Sequence, residues 1–568
     1  MIKEISIYEE LGEERKQLQE KGLLPIWVTT IAWQMLKENY LSEEYPDLKS
    51  VYTRVANHAA KYTTNQIEWS AKFFDLFWTG HLAGSTPVLS NMGTGNGCPV
   101  SCSGNFLADS VFDFYGCQQE NAVLSKNGFG TSSYLGNIRA RGSKISGMKG
   151  SASGVLPVFK DFVQMSRDIS QGSQRRGAWA GYIEIDHGDF YELANYISKN
   201  PDDANIGWNV SDAFIARLDS GDKDAIDRYQ KALKLKMITG KGYFNFKDKI
   251  NAQSPQMYKD KGLTIKASNL CNEIQLMSDE DHTFSCVLSS MNASLYDEWK
   301  NTDAVFNATV FLDCVNQDMI EIGKHTKGME KIVRFAEKSR ALGLGMLGFH
   351  TYLQDNMIAF ESLEANFKNV EIFQHLDNES LRASQWMAKE FGEPFWCKGY
   401  GVRNTHRIAL APNLSSALIC GSVSQGIEPI YKNAYVQNTS AGKMDRVNPS
   451  LLKVMKEKGI YSETLIKDII TNNGSVQHVD WLTDEEKLVF KTAFEINQHQ
   501  IIRLASVRQK YIDQGQSINL FFSADEDEAY ISEVHKAAFK DPYIKGLYYI
   551  RSETGVNTNK DSCIACHG

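Results

Sequence analysis

Cys102, Cys271 and Cys286 set the hardest constraint on how this chain folds. No local rule of helix or strand places residue 102 beside residues 271 and 286, so a fold that uses the three thiols together must gather distant segments into one site. Around the middle thiol the sequence reads Ser268-Asn269-Leu270-Cys271-Asn272-Glu273-Ile274. In an extended backbone side chains alternate, so Asn269, Cys271 and Glu273 share one face and Leu270, Asn272 and Ile274 the other. A helix would rotate Cys271 away from both neighbours. The spacing predicts an extended segment that presents an amide, a thiol and a carboxylate together.

Beside a bound sugar, such a carboxylate can take a hydroxyl proton and the amide can orient a second hydroxyl. The thiol can serve as nucleophile, metal ligand or hydrogen-atom carrier. Cys102 and Cys286 can deliver two electrons by closing into a disulfide, which must then be re-reduced. The closing Cys563-Ile564-Ala565-Cys566-His567-Gly568, after the polar Thr554-Gly555-Val556-Asn557-Thr558-Asn559, suits a mobile dithiol that exchanges with it. Plainer readings stand beside these. A lone buried cysteine is commonly a packing residue, which is the expectation for Cys98, Cys117, Cys314, Cys397 and Cys420. The terminal pair with His567 could be half of a zinc site, but a second half with ligand spacing is missing.

At 568 residues the chain can bury a large core. A net charge of −8 gives no general reason to bind nucleic acid or an anionic membrane. Met1-Ile2-Lys3-Glu4-Ile5-Ser6 lacks the basic and apolar regions of a leader, and no apolar run is long enough to span a bilayer, so a cytoplasmic protein is expected. Ten cysteines are too few for a disulfide scaffold and fit redox or catalytic use better. Residues 1–85 read as helical, with Ile67, Trp69, Phe73, Phe74, Phe77 and Trp78 expected on one apolar face. From Thr86 to about residue 525, short apolar runs alternate with amphipathic stretches, the pattern of α/β architecture. Thr483-Asp484-Glu485-Glu486 fits a capping box opening a helix that carries Val489, Phe490, Phe494 and Ile496.

These segments resemble the large, catalytic subunit of class I ribonucleotide reductase over nearly the whole chain. Besides Ser-Asn-Leu-Cys-x-Glu, the likeness runs through Ser101-Cys102, Cys286-Val287-Leu288-Ser289-Ser290-Met291-Asn292 and Arg340-Ala341-Leu342-Gly343-Leu344-Gly345. It continues in Pro412-Asn413-Leu414-Ser415-Ser416, Gly426-Ile427-Glu428-Pro429, Tyr511-Ile512-Asp513-Gln514, Gly546-Leu547-Tyr548-Tyr549 and the terminal CxxC. The resemblance implies a ten-stranded α/β barrel of two antiparallel halves with the radical cysteine on a loop inside it. It implies a helical region at 1–85, the barrel with its effector loops at 86–525, a helical and radical-transfer segment at 526–550 and a flexible redox tail at 551–568.

It also implies roles. Cys271 is the thiyl cysteine, Glu273 the base, Asn269 the holder of a sugar hydroxyl, and Cys102 with Cys286 the reducing pair. Tyr548 and Tyr549 carry the radical inward from the metal centre of a separate small subunit, and no metal is bound by this chain. Cys563 and Cys566 relay electrons from thioredoxin or glutaredoxin. Thr86, Ser101, Pro412, Asn413, Leu414, Ser415 and Ser416 hold the diphosphate of a nucleoside diphosphate, with backbone donors at a loop that opens a helix. In the glycine-rich Asn127–Gly142 region of a homodimer, a deoxynucleoside triphosphate or ATP with Mg binds as effector. Asp109 meets its nucleoside, Lys126 lies nearby and Arg139 faces its phosphates. The loop 198–207 relays effector identity to the substrate base. Large subunits of this family often begin with a helical ATP-binding switch of about a hundred residues, a typical domain size; nothing like it precedes Thr86. Two alternatives remain open, a cobalamin-dependent reductase on the same barrel and a non-catalytic nucleotide-binding regulator. The first leaves no need for Tyr548-Tyr549, and the retained Cys271, Glu273, Cys102 and Cys286 speak against the second.

Overall fold

In the computed structural model, residues 7–147, 149–171, 175–439 and 442–552 are described. Cys563 and Cys566 lie outside the described residues. The chain opens with helices Ile7–Glu20, Thr30–Asn39, Leu48–Ala60 and Gln66–Trp78. Thr29, Asp47 and Asn65 start the last three, each accepting a hydrogen bond from a backbone N–H of the first turn. The helix Gln66–Trp78 buries Trp69, Phe73, Leu76 and Phe77. Phe73 and Phe77 meet Phe311 edge-on at 5.3 and 5.2 Å, on the long helix Ala304–Lys324. Ile67, expected on this face, is instead 88 % exposed. Two residues along a helix is a rotation of about 200°, which sends Ile67 to the side opposite Trp69.

The central sheet closes into a ring. One half is the five parallel strands Cys102–Phe106, Gly130–Tyr134, Trp179–Glu184, Asn205–Val210 and Tyr243–Phe246. The other half begins with Phe284–Asn292 parallel to Leu342–Leu347. It continues through the parallel bridges Leu344 to Ile408 and Leu410 to Gln516. From there Tyr548 N donates to Ile518 O at 2.8 Å, and Leu520–Phe522 runs parallel to Ile550–Ser552. The halves meet antiparallel at two seams, where Cys102 faces Cys286 and where Gly546 faces Asn245. Ten backbone segments thus form a barrel of two antiparallel halves, and the first half's strands are buried along nearly their whole length, as helix-covered parallel sheets are.

A second, smaller core of Ala434, Leu451, Met455, Ile466, Ile469, Val476 and Phe490 gathers under the hairpin Ala434–Thr439/Gly442–Val447 and the helices that follow. The capping box forms, with Thr483 and Glu486 bonding reciprocally, but its helix is only Asp484–Val489. Phe494 and Ile496 lie beyond it. Val489 and Phe490 belong to the small core whereas Ile496 packs in the main one, so the chain must leave the helix to serve both. The Thr492 N–H then closes a local turn onto the Glu495 carboxylate at 2.7 Å.

Candidate active site

The segment carrying Cys271 is hydrogen-bonded all round the ring. Ser132 Oγ donates to Ser268 O, Tyr182 Oη to Asn269 O, Asn209 Nδ2 to Lys266 O and Asn272 Nδ2 to Phe244 O. From the other half, Gly515 N donates to Glu273 O and Ser517 Oγ to Cys271 O. A loop bonded to strands of both halves runs through the barrel's interior. Gly546 lets it in, since a Cβ there would stand 2.5 Å from Asn272 Nδ2.

The tip is a tight turn, not the extended run expected from the alternation of Asn269, Cys271 and Glu273. Asn272 N donates to Asn269 O at 3.2 Å, and Asn272 takes φ 66°, a conformation asparagine tolerates. An extended backbone would put Asn269 and Glu273 about 13 Å apart on their shared face, too far to touch. The turn instead brings Asn269 Nδ2 to 2.9 Å from Glu273 Oε1, while Asn269 Oδ1 accepts from the N–H groups of Glu273 and Ile274. Asn269 is therefore both the clasp of the turn and a partner of the carboxylate.

The same amide also lies 3.2 Å from Cys102 Sγ. Cys102 and Cys286 are direct partners across the seam between the halves. Residues so opposed have Cα atoms about 4.5–5.5 Å apart, inside the range of about 4.4–6.8 Å that a disulfide requires. Both are buried, and neither is joined in a disulfide. Burial pushes the Cys286 thiol far up, against a hydrogen bond from Gln514 Nε2 at 3.5 Å. Behind it, a Cβ on Gly343 would stand 2.7 Å from Cys286 Sγ, which accounts for glycine at that place in the strand.

Glu273 is fully buried, and burial raises its pKa to about 7 against the pull of hydrogen bonds from the backbone, Asn269 and Ser517. Its second oxygen accepts from Ser517 Oγ at 3.0 Å. All of these donors are neutral, so the carboxylate can hold or release a proton near neutral pH. Tyr548 and Tyr549 share a buried cluster with Cys271, Leu270, Tyr182 and Tyr243. Their ring centroids are 3.9 Å apart at 41°, and Tyr243 lies 4.9 Å from Tyr548 and 5.6 Å from Tyr549. Arg551 stands over the Tyr549 ring at 5.0 Å.

Of the expected phosphate-contacting residues, Thr86 and the turn 412–416 are brought together. Asn413 opens the helix Leu414–Ile419 in the left-handed conformation with no side-chain cap. Its side chain is occupied elsewhere, donating to Met346 O and accepting from Ser290 Oγ, so it leaves the first-turn amides of that helix uncapped. Ser416 Oγ donates to Gly84 O, which brings this helix start to the start of helix Thr86–Asn91. Thr86 Oγ1 lies 2.9 Å from Tyr40 Oη. The hydroxyls of Ser85, Ser101 and Ser415 are buried without a protein partner, which is a costly condition. Of the residues expected to meet an effector, Asp109 and Arg139 form an ion pair with each other. Lys126 does not join them within the chain. It ends the helix Val111–Lys126, whose sixteen residues span about 24 Å from the Asp109 end.

Sequence reasoning missed Tyr182, Tyr243, Ser517 and Ser85, which lie outside the motifs quoted above, and it assigned no role to Gln514 or Glu428, which lie within them. Glu428 is partly buried, with its pKa raised by desolvation to about 7, and it accepts from Asn519 Nδ2 at 2.5 Å.

Comparison with known proteins fits this geometry. A family model described as ribonucleotide reductase, barrel domain, matches residues 100–226, 222–397 and 396–550, and one described as ribonucleotide reductase, all-alpha domain, matches residues 27–97. The chain belongs to the ribonucleotide reductase large-subunit family. It is 34 % identical to a putative ribonucleoside-diphosphate reductase large subunit of Frog virus 3 (isolate Goorha), over 95 % of this chain and 99 % of that one. The ribonucleoside-diphosphate reductase large subunit of Caenorhabditis elegans is 27 % identical over 92 % of this chain and 75 % of its own length. Among solved structures, the Actinobacillus ureae class Id ribonucleotide reductase alpha subunit superposes with a TM-score of 0.86 at 39 % identity, covering 93 % of this chain and 98 % of that one. No helix among the described residues is long and apolar enough to cross a membrane.

Proposed function

We propose that this chain is the catalytic subunit of a ribonucleoside-diphosphate reductase and that the residues around Cys271 carry its chemistry. A metal-containing small subunit supplies the oxidising equivalent. Tyr549 and Tyr548 pass it inward, each giving up an electron and a proton to its outer neighbour, and Tyr548 takes a hydrogen atom from Cys271. The Cys271 thiyl removes the 3′-hydrogen of the substrate ribose. Glu273 takes the 3′-hydroxyl proton while Cys102 protonates the 2′-hydroxyl, which leaves as water. Cys102 and Cys286 supply the two electrons and the second hydrogen by closing into a disulfide, Glu273 returns its proton to the 3′-oxygen, and Cys271 returns its hydrogen to C3′ and is left as the thiyl again. Two thiols go in, and one water and one S–S bond come out.

The observation that carries this reading is the Asn269 amide, which touches Glu273 on one side and Cys102 on the other. It joins the proposed base to the proposed reductant. Thr86, Ser101 and the Pro412–Ser416 turn hold the diphosphate, with Ser85 as a further donor. Cys563 and Cys566 re-reduce the disulfide and are reset by thioredoxin or glutaredoxin. The chain works as a homodimer through helix Val111–Lys126, where Val111, Phe112 and Tyr115 are largely exposed. A deoxynucleoside triphosphate or ATP, with Mg, binds at Asp109 and Arg139, whose mutual ion pair opens to admit it. The test is turnover of a nucleoside diphosphate by Cys271→Ser with the small subunit present. No deoxynucleotide is expected while substrate binding persists, and measurable product would remove Cys271 from the chemistry.

A further inference from the structure

Ser517 belongs to the second half of the barrel, one residue past the parallel bridge of Gln516 to Leu410. Its backbone is tied on both sides. Ser517 N donates to Leu410 O at 3.0 Å, and the carbonyl of the next residue, Ile518, accepts from Tyr548 N at 2.8 Å. The buried side chain meets the loop that carries Cys271, with its hydroxyl 2.6 Å from Cys271 O and 3.0 Å from Glu273 Oε2. The two oxygens of the Glu273 carboxylate are thus held from different elements, Oε1 by Asn269 of the loop itself and Oε2 by Ser517 of the barrel wall.

A hydroxyl has one proton to give and lone pairs with which to accept. While Glu273 is ionised, Ser517 Oγ has two acceptors in reach and cannot serve both fully. The Cys271 carbonyl is nearer, but the carboxylate is charged, and a charge-assisted hydrogen bond is roughly twice as strong as a neutral one. Protonation of Glu273 ends the competition. Its Oε2–H then donates to Ser517 Oγ, and the Ser517 proton goes wholly to Cys271 O. The exchange needs only rotation of a hydroxyl, with no movement of the backbone.

We infer that Ser517 is a positioning residue whose hydroxyl proton is shared between the Glu273 carboxylate and the Cys271 carbonyl, so that a proton arriving on Glu273 tightens the hold on the peptide that carries the thiol. On the reading of Glu273 as the base and Cys271 as the hydrogen carrier, that peptide is held hardest while the base keeps the substrate proton, before Cys271 returns its hydrogen to C3′. Ser517 then also contributes to the affinity of Glu273 for its proton. Burial raises the Glu273 pKa to about 7 against hydrogen bonds from the backbone, Asn269 and Ser517, and each donor to the ionised form pulls it down. The titratable side chains that face Glu273 are Cys271 on the loop, Tyr182 on strand Trp179–Glu184, Cys102 through Asn269, and Cys286. Burial pushes Tyr182 and Cys286 well above their ordinary ranges, so neither ionises while Glu273 titrates. Asp513, on the segment whose Gly515 bonds the Glu273 backbone, is turned to the N–H groups of Arg407 and Ile408, and Lys545 to the carbonyls of Asp513 and Gln514.

Infrared titration of the full-length chain reads both halves of this without turnover. The carboxylic-acid C=O stretch that is lost with a midpoint of about 7 and is absent from Glu273→Gln reports Glu273. Isotope-labelled cysteine carbonyls give amide bands, and the one that moves with the same titration reports Cys271. In the wild type both signals are expected to share one midpoint. Ser517→Ala should raise the Glu273 midpoint by about one pH unit, on the order of one hydrogen bond to a charged acceptor, and should abolish the movement of the cysteine band. Ser517→Cys, close in volume but only a weak S–H donor, should shift the Glu273 midpoint in the same direction and decides the matter if the alanine variant does not fold. A merely structural serine leaves the midpoint in place. An unchanged midpoint in the folded variant, or a wild type in which no cysteine band follows Glu273, therefore overturns the proposal. Wild-type turnover by Glu273→Gln overturns instead the reading of Glu273 as the base, and the two failures are distinguishable because the infrared midpoints do not depend on turnover.

Discussion

Two fully buried carboxylates, Glu273 and Asp313, have opposite pKa shifts, and the difference sets the proposed base apart from a carboxylate that holds shape. Asp313 sits on the helix Ala304–Lys324 and accepts from Arg340 Nε at 2.8 Å, Arg403 Nε at 2.9 Å and Asn404 Nδ2 at 3.0 Å. Burial alone would raise its pKa, but the charges and hydrogen bonds of Arg340 and Arg403 outweigh it and hold the carboxyl down at about 2. Glu273 meets neutral amide and hydroxyl donors, and burial wins, lifting it to about 7. Burial is common to both; the charge of the partners decides. Asp313 is locked in one state, and through Arg340 it fixes the residue at the end of helix Glu330–Ser339, just before the strand whose Gly343 backs Cys286.

The largest expected effect tests the chemical side. Glu273→Gln removes the proton acceptor and keeps the shape, so kcat should fall by about 10²–10⁴, the usual worth of a positioned base. The melting temperature should hold or rise, because a desolvated carboxylate has been replaced by an amide. A kcat within tenfold of wild type would show that Glu273 is not the base. Asp313→Asn should do the reverse. It leaves the buried Arg340 and the half-buried Arg403 guanidinium groups without their counter-charge, at a cost of about 3–5 kcal/mol, while turnover per folded molecule persists. A thermal unfolding scan with an unchanged midpoint would break the comparison.

Much of the chemical side is legible in the amino-acid sequence itself. The motifs that gather around Cys271 are contiguous strings whose chemistry can be read in place, and the α/β alternation after Thr86 is a periodicity signal. What is not legible there is what depends on three-dimensional register. Alternation suggests that Asn269 and Glu273 share a face, but an i to i+3 turn, with Asn272 left-handed, is what makes them touch. The pairing of Cys102 with Cys286 belongs to an antiparallel seam between two parallel half-barrels, a relation that no local pattern encodes. Tyr182 and Tyr243 look in sequence like ordinary strand aromatics. Ile67 shows the converse failure, an apolar residue counted into a face from which helical rotation excludes it.

The two carboxylates should also leave opposite marks on stability against pH. Glu273 has a folded pKa of about 7 against an ordinary value of 4.5, so the folded state holds the proton more tightly. Its contribution is complete below the unfolded value and is lost as pH rises through about 7, a swing of about 3 kcal/mol. Asp313 has a folded pKa of about 2 against 3.8. Its contribution is present above the unfolded value and is lost as pH falls toward about 2, a swing of about 2 kcal/mol. Stability measured across pH for wild type, Glu273→Gln and Asp313→Asn should show each variant flattening its own window and leaving the other's slope intact. A variant that flattens both windows would mean the two sites are coupled.

The smallest effect concerns a third kind of buried polar group, neutral and unpaired. Ser85 stands at the N-cap of helix Thr86–Asn91 but makes no capping hydrogen bond, and its hydroxyl is buried without a partner. A hydroxyl kept from both water and protein costs free energy in the empty protein, so its removal should not weaken the fold. If it faces the substrate diphosphate beside the start of helix Leu414–Ile419, Ser85→Ala forfeits one hydrogen bond of about 1 kcal/mol. KM for the nucleoside diphosphate should then rise roughly fivefold with kcat unchanged, because the contact is equally present in the ground and transition states. Ser101→Ala and Ser415→Ala should behave alike. A fall in kcat at constant KM would instead attach Ser85 to the chemistry, and a loss of thermal stability would make it a structural group, as the partners of Asp313 are.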